Sequence, residues 1–498
     1  MGIKSFVAKY YADFLVGKLR KAVSFPEKAQ KKVFDQLISA GKKTLFGKDH
    51  NFGQIATYSD FKRQVPLTDF EGLIPYIDKI KQGQPDILWP GVPIYFCKTS
   101  GTTSGAKYIP ISKESIHNHI NSAKLALMSY IYETGKADFI DGKLIFLQGS
   151  PVLDNSGYIP TGRLSGIAAH HVPSYLQKNR MPTLETNSIE DWEQKVDAIV
   201  NETSVADLRL ISGIPSWVQM YFERLIEKTG KADVKSIFPK FSLIVYGGVN
   251  YEPYRPIFDK LIGSKIDSVE TYPASEGFIA FQNSQKEKGL LLVINDGIFY
   301  EFIPVEEAQN ENPTRLSLNE VELNKNYAIV LNTNAGLWGY VIGDLVKFIS
   351  LKPFKILVTG RIKHFTSAFG EHVIAEEVEA AIKLGLEKTG AQIKEFHVAP
   401  QITPPNGLPY HEWFIEFENP PRDLNAFIDI VDVELQTKNP YYKDLIRGNI
   451  LKTLVVTQIK KDGFLEFMKS RGKLGGQNKV PRLSDDRNTA KELEKYAK

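Results

Sequence analysis

Apolar residues recur at the three- and four-residue spacing of amphipathic helices through the first 90 residues. Beyond them, short runs rich in β-branched and aromatic residues, such as 143–147 and 243–246, alternate with stretches of helical period, such as 112–132 and 215–228. Strands that alternate with helices are typical of an α/β domain with a largely parallel sheet. The pattern therefore predicts a large α/β domain that opens with helices.

The pattern changes in the second half of the chain. Runs 290–294 and 298–303 flank Asn295-Asp296-Gly297, a turn sequence that predicts an antiparallel hairpin. Further on, a helix, two strands and a second helix are predicted at 375–386, 395–399, 412–417 and 423–436. We therefore predict a large N-terminal domain at residues 1–360 and a small α+β domain at residues 361–498.

Composition adds restrictions on partners. At 498 residues the chain is long enough for roughly two to four domains, and 62 basic against 58 acidic residues give a net charge of only +4. The basic residues are scattered, so we expect no nucleic-acid partner. No stretch reaches the roughly 18 apolar residues of a membrane span, so we expect no membrane partner. The oligomeric state stays open.

The chain has a single cysteine, Cys97, which lies in an apolar run after Ile94, Tyr95 and Phe96. We interpret it as a small buried hydrophobic residue rather than as a nucleophile. It has no second cysteine with which to form an intramolecular disulfide, and this fits a reducing, cytoplasmic location.

The segment that follows Cys97 is rich in glycine and hydroxyl side chains. Glycines allow the backbone to turn its N–H groups towards an anion, while hydroxyls and a lysine supply further donors to phosphate oxygens. The spacing differs from that of the P-loop of nucleotide hydrolases, because three residues separate the glycines and Ala106 precedes the lysine. We predict a nucleotide-binding segment made of Ser100, Gly101, Thr102, Thr103, Ser104, Gly105 and Lys107.

This segment resembles the Ser-Gly-Thr-Thr-x-Gly-x-x-Lys pattern of the GH3 acyl-acid-amido synthetases, with the lysine one place earlier. GH3 proteins form a branch of the adenylate-forming enzymes, which also include acyl-CoA synthetases and firefly luciferase. The stretches 58–67 and 74–77 are similar to the N-terminal region of the same family. The resemblance extends over essentially the whole chain. It implies an α/β fold with mixed sheets in a large N-terminal domain, and a small mobile C-terminal domain.

A second resemblance lies at Tyr272-Pro273-Ala274-Ser275-Glu276, which matches the family pattern Tyr-x-x-Ser-Glu. An aromatic ring can stack on adenine, a hydroxyl can reach the α-phosphate or an acyl oxygen, and a carboxylate can hold Mg²⁺. The resemblance therefore implies Tyr272 as a nucleotide-binding residue, Ser275 as a catalytic residue, and Glu276 as both catalytic residue and metal ligand. A turn at a strand end is the alternative interpretation.

Two further nucleotide-binding positions are implied by resemblance. Asp344 ends Tyr340-Val341-Ile342-Gly343-Asp344, in which Val341 replaces the arginine that the family usually carries. Its carboxylate is expected to accept hydrogen bonds from the ribose hydroxyls. Gly247 and Gly248 are similar to a glycine pair that lies against adenine in the superfamily, although a plain strand-to-loop turn fits them nearly as well.

The late part of the chain resembles the mobile domain of these enzymes. Lys479 stands in a Gln-x-Lys-x-Pro-Arg context after Gly472, Gly475 and Gly476, and the resemblance implies that it is the catalytic lysine. A cation there would stabilise charge that develops at the α-phosphate. A solvated tail is the alternative. The segment 360–365 is similar to the hinge about which the small domain swings.

The activity implied is that of an ATP- and Mg²⁺-dependent ligase. It would activate a small carboxylic acid as an acyl-AMP with release of pyrophosphate, and transfer the acyl group to the amine of an amino acid. The alternatives are an acyl-CoA ligase of the same fold and a catalytically idle protein that binds acyl groups or nucleotides. By their chemistry alone His170, His171, His364 and His372 are candidates for the base that deprotonates the amine, and Tyr175 and the segment 157–166 for the acyl pocket.

Overall fold

The computed structural model describes residues 2–99, 107–147, 149–172, 177–189, 192–247, 251, 255–362, 365–366, 369, 373–402, 404–447, 451–472, 480–484 and 486–498. These residues form two compact units. The first unit takes the described residues up to 342 together with 347–357, and the second takes 343–346 and the described residues from 358 to 472 and from 480 to 498. The predicted domain limits at residues 360 and 361 stay a prediction.

The first unit opens with helices, as the hydrophobic spacing predicts. Their bounds in the described part of this unit are α1 Ile3–Ser24, α2 Pro26–Gly41, α3 Leu45–Asp49, α4 Tyr58–Gln64, α5 Phe70–Lys81, α6 Lys113–Thr134, α7 Leu164–Ala169, α8 Leu184–Asn187, α9 Trp192–Thr203, α10 Pro215–Thr229, α11 Val234–Ile237 and α12 Arg255–Ile262. Polar side chains fix several of the starts. Thr57 and Asp60 form a capping box on α4, and the Asp69 carboxylate accepts two backbone N–H groups at the start of α5.

The strands follow in chain order. They are β1 Tyr95–Thr99, β2 Lys107–Ile111, β3 Lys143–Phe146, β4 Thr161–Gly162, β5 Arg180–Met181, β6 Leu208–Ser212, β7 Leu243–Gly247, β8 Asp267–Ala274, β9 Gly277–Gln282, β10 Leu290–Leu292, β11 Ile298–Pro304, β12 Leu316–Ser317, β13 Asn326–Thr333, β14 Tyr340–Leu351 and β15 Phe354–Arg361. Both β14 and β15 contain residues of each unit.

A large mixed sheet forms the centre of the first unit. Its strand order is β12-β11-β13-β14-β15-β10-β9-β8-β7-β6-β3-β5. The run β5, β3, β6, β7 and β8 is parallel, whereas β9 pairs with β8 and β10 in antiparallel fashion. The α/β class with mixed sheets is confirmed, and the parallel arrangement predicted from the pattern holds for one half of the sheet.

The hairpin predicted at 290–303 is wrong. Strand β10 pairs with β9 and β15, whereas β11 pairs with β12 and β13. The physical reason is the buried Gln30 side chain of α2, whose amide donates to the carbonyl oxygens of Ile294 at 2.7 Å and Ile298 at 2.9 Å. The Gln30 side-chain oxygen also accepts the Tyr300 N–H. A side chain thus satisfies backbone groups next to the turn, and the two runs separate into different parts of the sheet.

A buried ionic network joins this sheet to α4. Glu301, on β11, is fully buried and receives two hydrogen bonds from the Arg315 guanidinium, at 2.8 and 2.9 Å. The Tyr58 hydroxyl and the Asn332 amide also donate to the Glu301 carboxylate. Arg315 in turn donates to the Val65 carbonyl. Burial beside Glu301 raises the pKa of Tyr58 above its usual range, so its hydroxyl stays a donor.

The second unit is built on its own three-stranded sheet. Its described elements are β16 Phe365–Thr366, β17 Val373–Ile374, α13 Ala375–Thr389, β18 Gln392–Gln401, β19 Tyr410–Asn419, α14 Leu424–Lys438, α15 Pro440–Arg447, β20 Val455–Ile459, α16 Gly463–Ser470 and α17 Asn488–Leu493. Strand β19 lies antiparallel to β18 and parallel to β20. Helices α13 and α14 pack closely, since a Cβ atom at Gly385 would stand 2.5 Å from the Val431 side chain. The α+β elements predicted for this region are confirmed.

We predict that His119 makes the protein sensitive to acid. This α6 histidine is buried, and among the described residues its Nε2 has no hydrogen-bond partner. Burial lowers its pKa from 6.5 to about 4, so the folded state favours the neutral ring. The unfolded chain therefore binds a proton that the folded chain does not. Stability should fall as pH drops below the unfolded pKa, by about 2 kcal/mol between pH 7 and pH 5 from this group.

Urea unfolding of the wild type and of His119→Leu at both pH values measures this effect. The variant should show a smaller loss of stability on acidification. His117→Gln is the matched control, because His117 is exposed on the same helix. Equal acid sensitivity in wild type and His119→Leu would contradict the assignment.

Candidate active site

Two paired strands flank the predicted phosphate-binding segment in the sequence. Strands β1 and β2 are antiparallel, and Thr99 and Lys107 form the last residue pair between them. Ser100, Gly101, Thr102, Thr103, Ser104 and Gly105 lie outside the described residues. Lys107 begins β2, and its ammonium lies 5.9 Å from the centroid of the Phe70 ring.

Ser275 and Glu276 form the two-residue turn between β8 and β9. Both residues are half-buried, whereas the Tyr272 side chain, further back on β8, is buried. Gly277 follows them, and a Cβ atom there would stand 2.5 Å from the Ile298 side chain. The turn interpretation and the functional interpretation of this motif therefore coexist, because the strand-end turn is what brings the hydroxyl and the carboxylate side by side.

Cys97 joins the turn to β1. Its Sγ lies 3.1 Å from the Ser275 Oγ, although 178 positions separate the two residues in sequence. The pKa of the thiol is raised to about 12, chiefly by burial and also by the nearby Glu276 carboxylate, while the hydrogen bonds with Ser275 and the Leu164 N–H act in the opposite direction. The thiol is therefore protonated at neutral pH and donates to Ser275. Cys97 is buried, as interpreted from its apolar run, but no pattern in the sequence indicated this hydrogen bond.

Gly247 ends β7 beside β8, where Thr271 is its paired residue. A Cβ atom at Gly247 would stand 2.5 Å from the Thr271 carbonyl oxygen, so a larger residue would push the two strands apart. The Thr271 hydroxyl donates to the Tyr246 carbonyl at 3.0 Å. Close strand approach thus favours glycine at position 247, the contact of Gly247 with adenine stays a prediction, and Gly248 lies outside the described residues.

Asp344 belongs to the second unit, where its carboxylate forms an ion pair with Arg361. The Asp344 Oδ1 lies 2.7 Å from the Arg361 Nε, and the Asp344 side chain is largely buried. The sequence included Arg361 only in a hinge-like segment and did not predict this pairing. Val341, which replaces the family's usual arginine, lies in the first unit and donates its backbone N–H to the Thr68 carbonyl at 2.8 Å.

The histidine candidates divide into two groups. His364 and His372 lie outside the described residues, as does Lys479. His170 has its Nε2 2.8 Å from the Pro151 carbonyl oxygen, which requires a proton on that nitrogen. His171 has its Nε2 3.2 Å from the Tyr95 hydroxyl. Burial, together with His117 and His170, lowers the pKa of His171, which keeps the ring neutral and able to accept a proton at neutral pH.

Arg163, in the proposed acyl-pocket segment, influences a buried lysine of α9 that the sequence did not reveal. Tyr158 is 81% exposed and Tyr175 lies outside the described residues. Arg163 is half-buried, and burial lowers its pKa. Lys195, on α9, is fully buried with its ammonium 2.5 Å from the Asn187 carbonyl oxygen. Burial and the neighbouring Arg163 lower the pKa of Lys195 to about 8.

The Glu276 carboxylate is the type of donor that Mg²⁺ takes at nucleotides. Within the described ranges, no group of three or more histidine, cysteine or acidic side chains could form a metal cage. Nucleotide-bound Mg²⁺ is commonly held by one or two carboxylates together with phosphate oxygens and waters. A single half-buried carboxylate in a turn suits that arrangement.

Comparison with solved structures defines the class of fold. A GH3.15 acyl acid amido synthetase superposes with a TM-score of 0.80 at 17% identity, and covers 97% of this chain and 96% of its own. A 2-hydroxyisobutyryl-CoA ligase bound to an acyl adenylate superposes with a TM-score of 0.62 at 14% identity, over 94% of this chain and 92% of its own. The fold is that of the adenylate-forming enzymes.

Sequence comparison identifies the family within this class. The GH3 family N-terminal domain matches residues 15–195, the central domain residues 291–361 and the C-terminal domain residues 376–488. The chain therefore belongs to the GH3 family. The indole-3-acetic acid-amido synthetase GH3.3 of Arabidopsis thaliana is 21% identical to it, over 91% of this chain and 88% of the relative.

We predict that the Cys97 thiol positions the Ser275 hydroxyl. Cys97→Ala removes the donor, and loss of one such hydrogen bond, worth about 1 kcal/mol, should slow acyl-adenylate formation by roughly fivefold. Cys97→Ser keeps a donor in the same place and should retain most of the rate. Rates of adenylate formation and thermal melting of both variants measure the effect. Equal losses in the two variants would show that Cys97 acts through packing alone.

Proposed function

We propose that this protein is an ATP-dependent acyl-acid-amido synthetase. It activates a small carboxylic acid as an acyl-AMP with release of pyrophosphate, and then transfers the acyl group to the amine of an amino acid. The observation that carries this proposal is the Cys97–Ser275 contact, which ties the Ser-Glu turn to the strand from which the Ser/Thr/Gly segment departs. Membership of the GH3 family and the named activity of its relatives support the same chemistry.

The direction of the hydrogen bond at Ser275 favours a role for this hydroxyl as a donor to an anionic oxygen. Because Cys97 donates to the Ser275 Oγ, the Ser275 proton is available to donate elsewhere. A phosphate or acyl oxygen is the acceptor that the family resemblance implies. A fixed donor of this kind stabilises charge that increases during acyl-adenylate formation. In the same proposal Tyr272 contacts the adenine, Asp344 the ribose, and Lys107 with residues 100–105 the phosphates.

Mg²⁺ is part of the proposal through Glu276, whose carboxylate would hold the ion together with ATP phosphate oxygens. When bound, the ion neutralises charge on the departing pyrophosphate. The two half-reactions require the C-terminal domain, residues 361–498, to be mobile and to bring Lys479 to the α-phosphate. We place the protein in the reducing cytoplasm because its one cysteine is buried and forms no disulfide.

The acyl acceptor separates the two leading functions. A CoA ligase has the same fold, so the fold alone does not decide whether an amine or a thiol accepts the acyl group. The family membership favours the amine, because the relative GH3.3 is named as an amido synthetase. An amino acid is accordingly the proposed second substrate.

The deciding experiment is a pyrophosphate-release screen. The protein is incubated with Mg·ATP and panels of aromatic and aliphatic acids, with amino acids, with CoA or with no acceptor, and products are identified by mass spectrometry. We expect pyrophosphate, AMP and an N-acyl amino acid. Glu276→Gln, which removes the charge but keeps the shape, should lower the rate and raise the Mg²⁺ concentration needed. Formation of ADP would refute adenylation, and an acyl-CoA product would assign the alternative activity.

A second experiment tests the mobile-domain mechanism through Lys479. If this lysine acts only in adenylation, Lys479→Ala should slow acyl-AMP formation by roughly 10²-fold or more, through lost electrostatic stabilisation. Transfer from synthetic acyl-AMP to the amine should change far less. Lys461→Ala is the control, since Lys461 is an exposed lysine of the second unit. Equal losses in both steps would assign Lys479 to folding or general binding.

A further inference from the structure

Helix α1 carries apolar side chains on two opposite faces. One face is buried against the first unit and consists of small or aliphatic residues, Ser5, Ala8, Ala12, Val16 and Leu19. Several of them belong to the same core as α6 residues such as Tyr130 and Ile131. This packing fixes the helix on the unit. The exposed face is therefore held in place by the fold.

The exposed face of α1 is a row of large apolar side chains, which we call the α1 row. It consists of Ile3, Phe6, Val7, Tyr10 and Phe14, whose exposed fractions range from 55% to 85%. Their spacing puts them on one side of the helix, opposite the buried face. Phe6 and Tyr10 contact each other edge to face, with ring centroids 5.0 Å apart. An ordered apolar row of this size on a surface indicates a binding partner.

Positive charge surrounds the α1 row. The first 43 residues contain ten lysine or arginine residues and three acidic ones, a local charge of +7, although the whole chain carries only +4. Exposed cations flank the row along α1, and the Lys18 ammonium lies over the Phe14 ring at 4.2 Å from its centroid. Helix α2 adds the exposed lysines Lys28, Lys31 and Lys32, of which Lys31 is paired with Asp35. The partner must therefore be anionic.

The α1 row lies outside the residues that the family model matches. The match to the GH3 N-terminal domain begins at residue 15, after the last member of the row. A second copy of this chain is disfavoured as the partner, because it would bring two strongly positive surfaces together. None of the described helices is long and apolar enough to cross a membrane. A helix that lies along a membrane surface needs no such length of apolar sequence.

We propose that α1 binds the protein peripherally to an anionic lipid surface. Helices that lie in the membrane interface combine aromatic and aliphatic side chains on one face with lysine and arginine beside them. Helix α1 has 22 residues and is about 33 Å long, so its row can lie flat along the headgroup boundary. The cations beside the row would contact the lipid headgroups. From the sequence we expected no membrane partner, because no stretch is apolar enough to span a membrane. Binding at the membrane surface needs no such stretch.

The experiment is co-sedimentation of the full chain with vesicles. We compare phosphatidylcholine vesicles with vesicles that also contain roughly 30% phosphatidylserine, at roughly 0.1 M and 0.5 M salt. Binding should require the anionic lipid and weaken at high salt. Phe6→Ser combined with Phe14→Ser should reduce partitioning by about tenfold or more, because both rings leave the interface. Lys4→Gln combined with Lys18→Gln and Lys21→Gln should reduce it similarly.

The matched control is Val205→Ser combined with Val152→Ser, which removes exposed apolar side chains elsewhere on the first unit. This variant should bind like the wild type, and all variants should melt at the same temperature. If the protein binds vesicles with phosphatidylserine no more strongly than vesicles of phosphatidylcholine alone, the proposal is overturned in favour of an acidic protein partner. The proposal would also be overturned, in favour of self-association, if the wild type sediments as a dimer and the Phe6→Ser, Phe14→Ser variant as a monomer. The readout is independent of the proposed ligase activity.

Discussion

The buried Glu301 carboxylate is the constraint on which the first unit depends. A charge removed from water must be neutralised and hydrogen-bonded, and here Arg315, Tyr58 and Asn332 together supply the donors. These donors come from α4, from the chain before β12 and from β13, so one ionised group aligns three separate segments. Removing the Arg315 guanidinium would leave the Glu301 charge uncompensated, which typically costs about 3–5 kcal/mol.

The same network reaches towards the motif at 340–344, for which we propose a role in nucleotide binding. The Asn332 side chain donates to Glu301, and its oxygen accepts the Gly339 N–H at 2.6 Å. Gly339 has a positive φ of 55° and immediately precedes β14, the strand that carries Val341 and Asp344. A residue with a side chain would be strained there. The start of the motif strand is thus held by a polar network as well as by the buried Trp338 and Tyr340 side chains.

Regular elements could be predicted from the sequence because hydrophobic period and capping residues act locally. The helix predicted at 215–228 is observed at Pro215–Thr229, and the strand predicted at 243–246 at Leu243–Gly247. The hairpin failed because Gln30, more than 260 positions away, satisfies the backbone next to the turn. For the same reason the Cys97–Ser275 and Asp344–Arg361 contacts could not be predicted. Short motifs identify the residue types a reaction needs, whereas their contacts depend on distant parts of the chain.

The burial of Cys97 has a practical consequence for work on this protein. With a pKa of about 12, only roughly one thiol in ten thousand is ionised at pH 8, and the thiolate is the form that reacts with alkylating reagents. The side chain is also almost inaccessible, at 1% exposure. We therefore expect Cys97 of the wild-type chain to react very slowly with maleimides. A cysteine introduced at any exposed position of either unit would become the dominant point of attachment for a fluorophore or spin label.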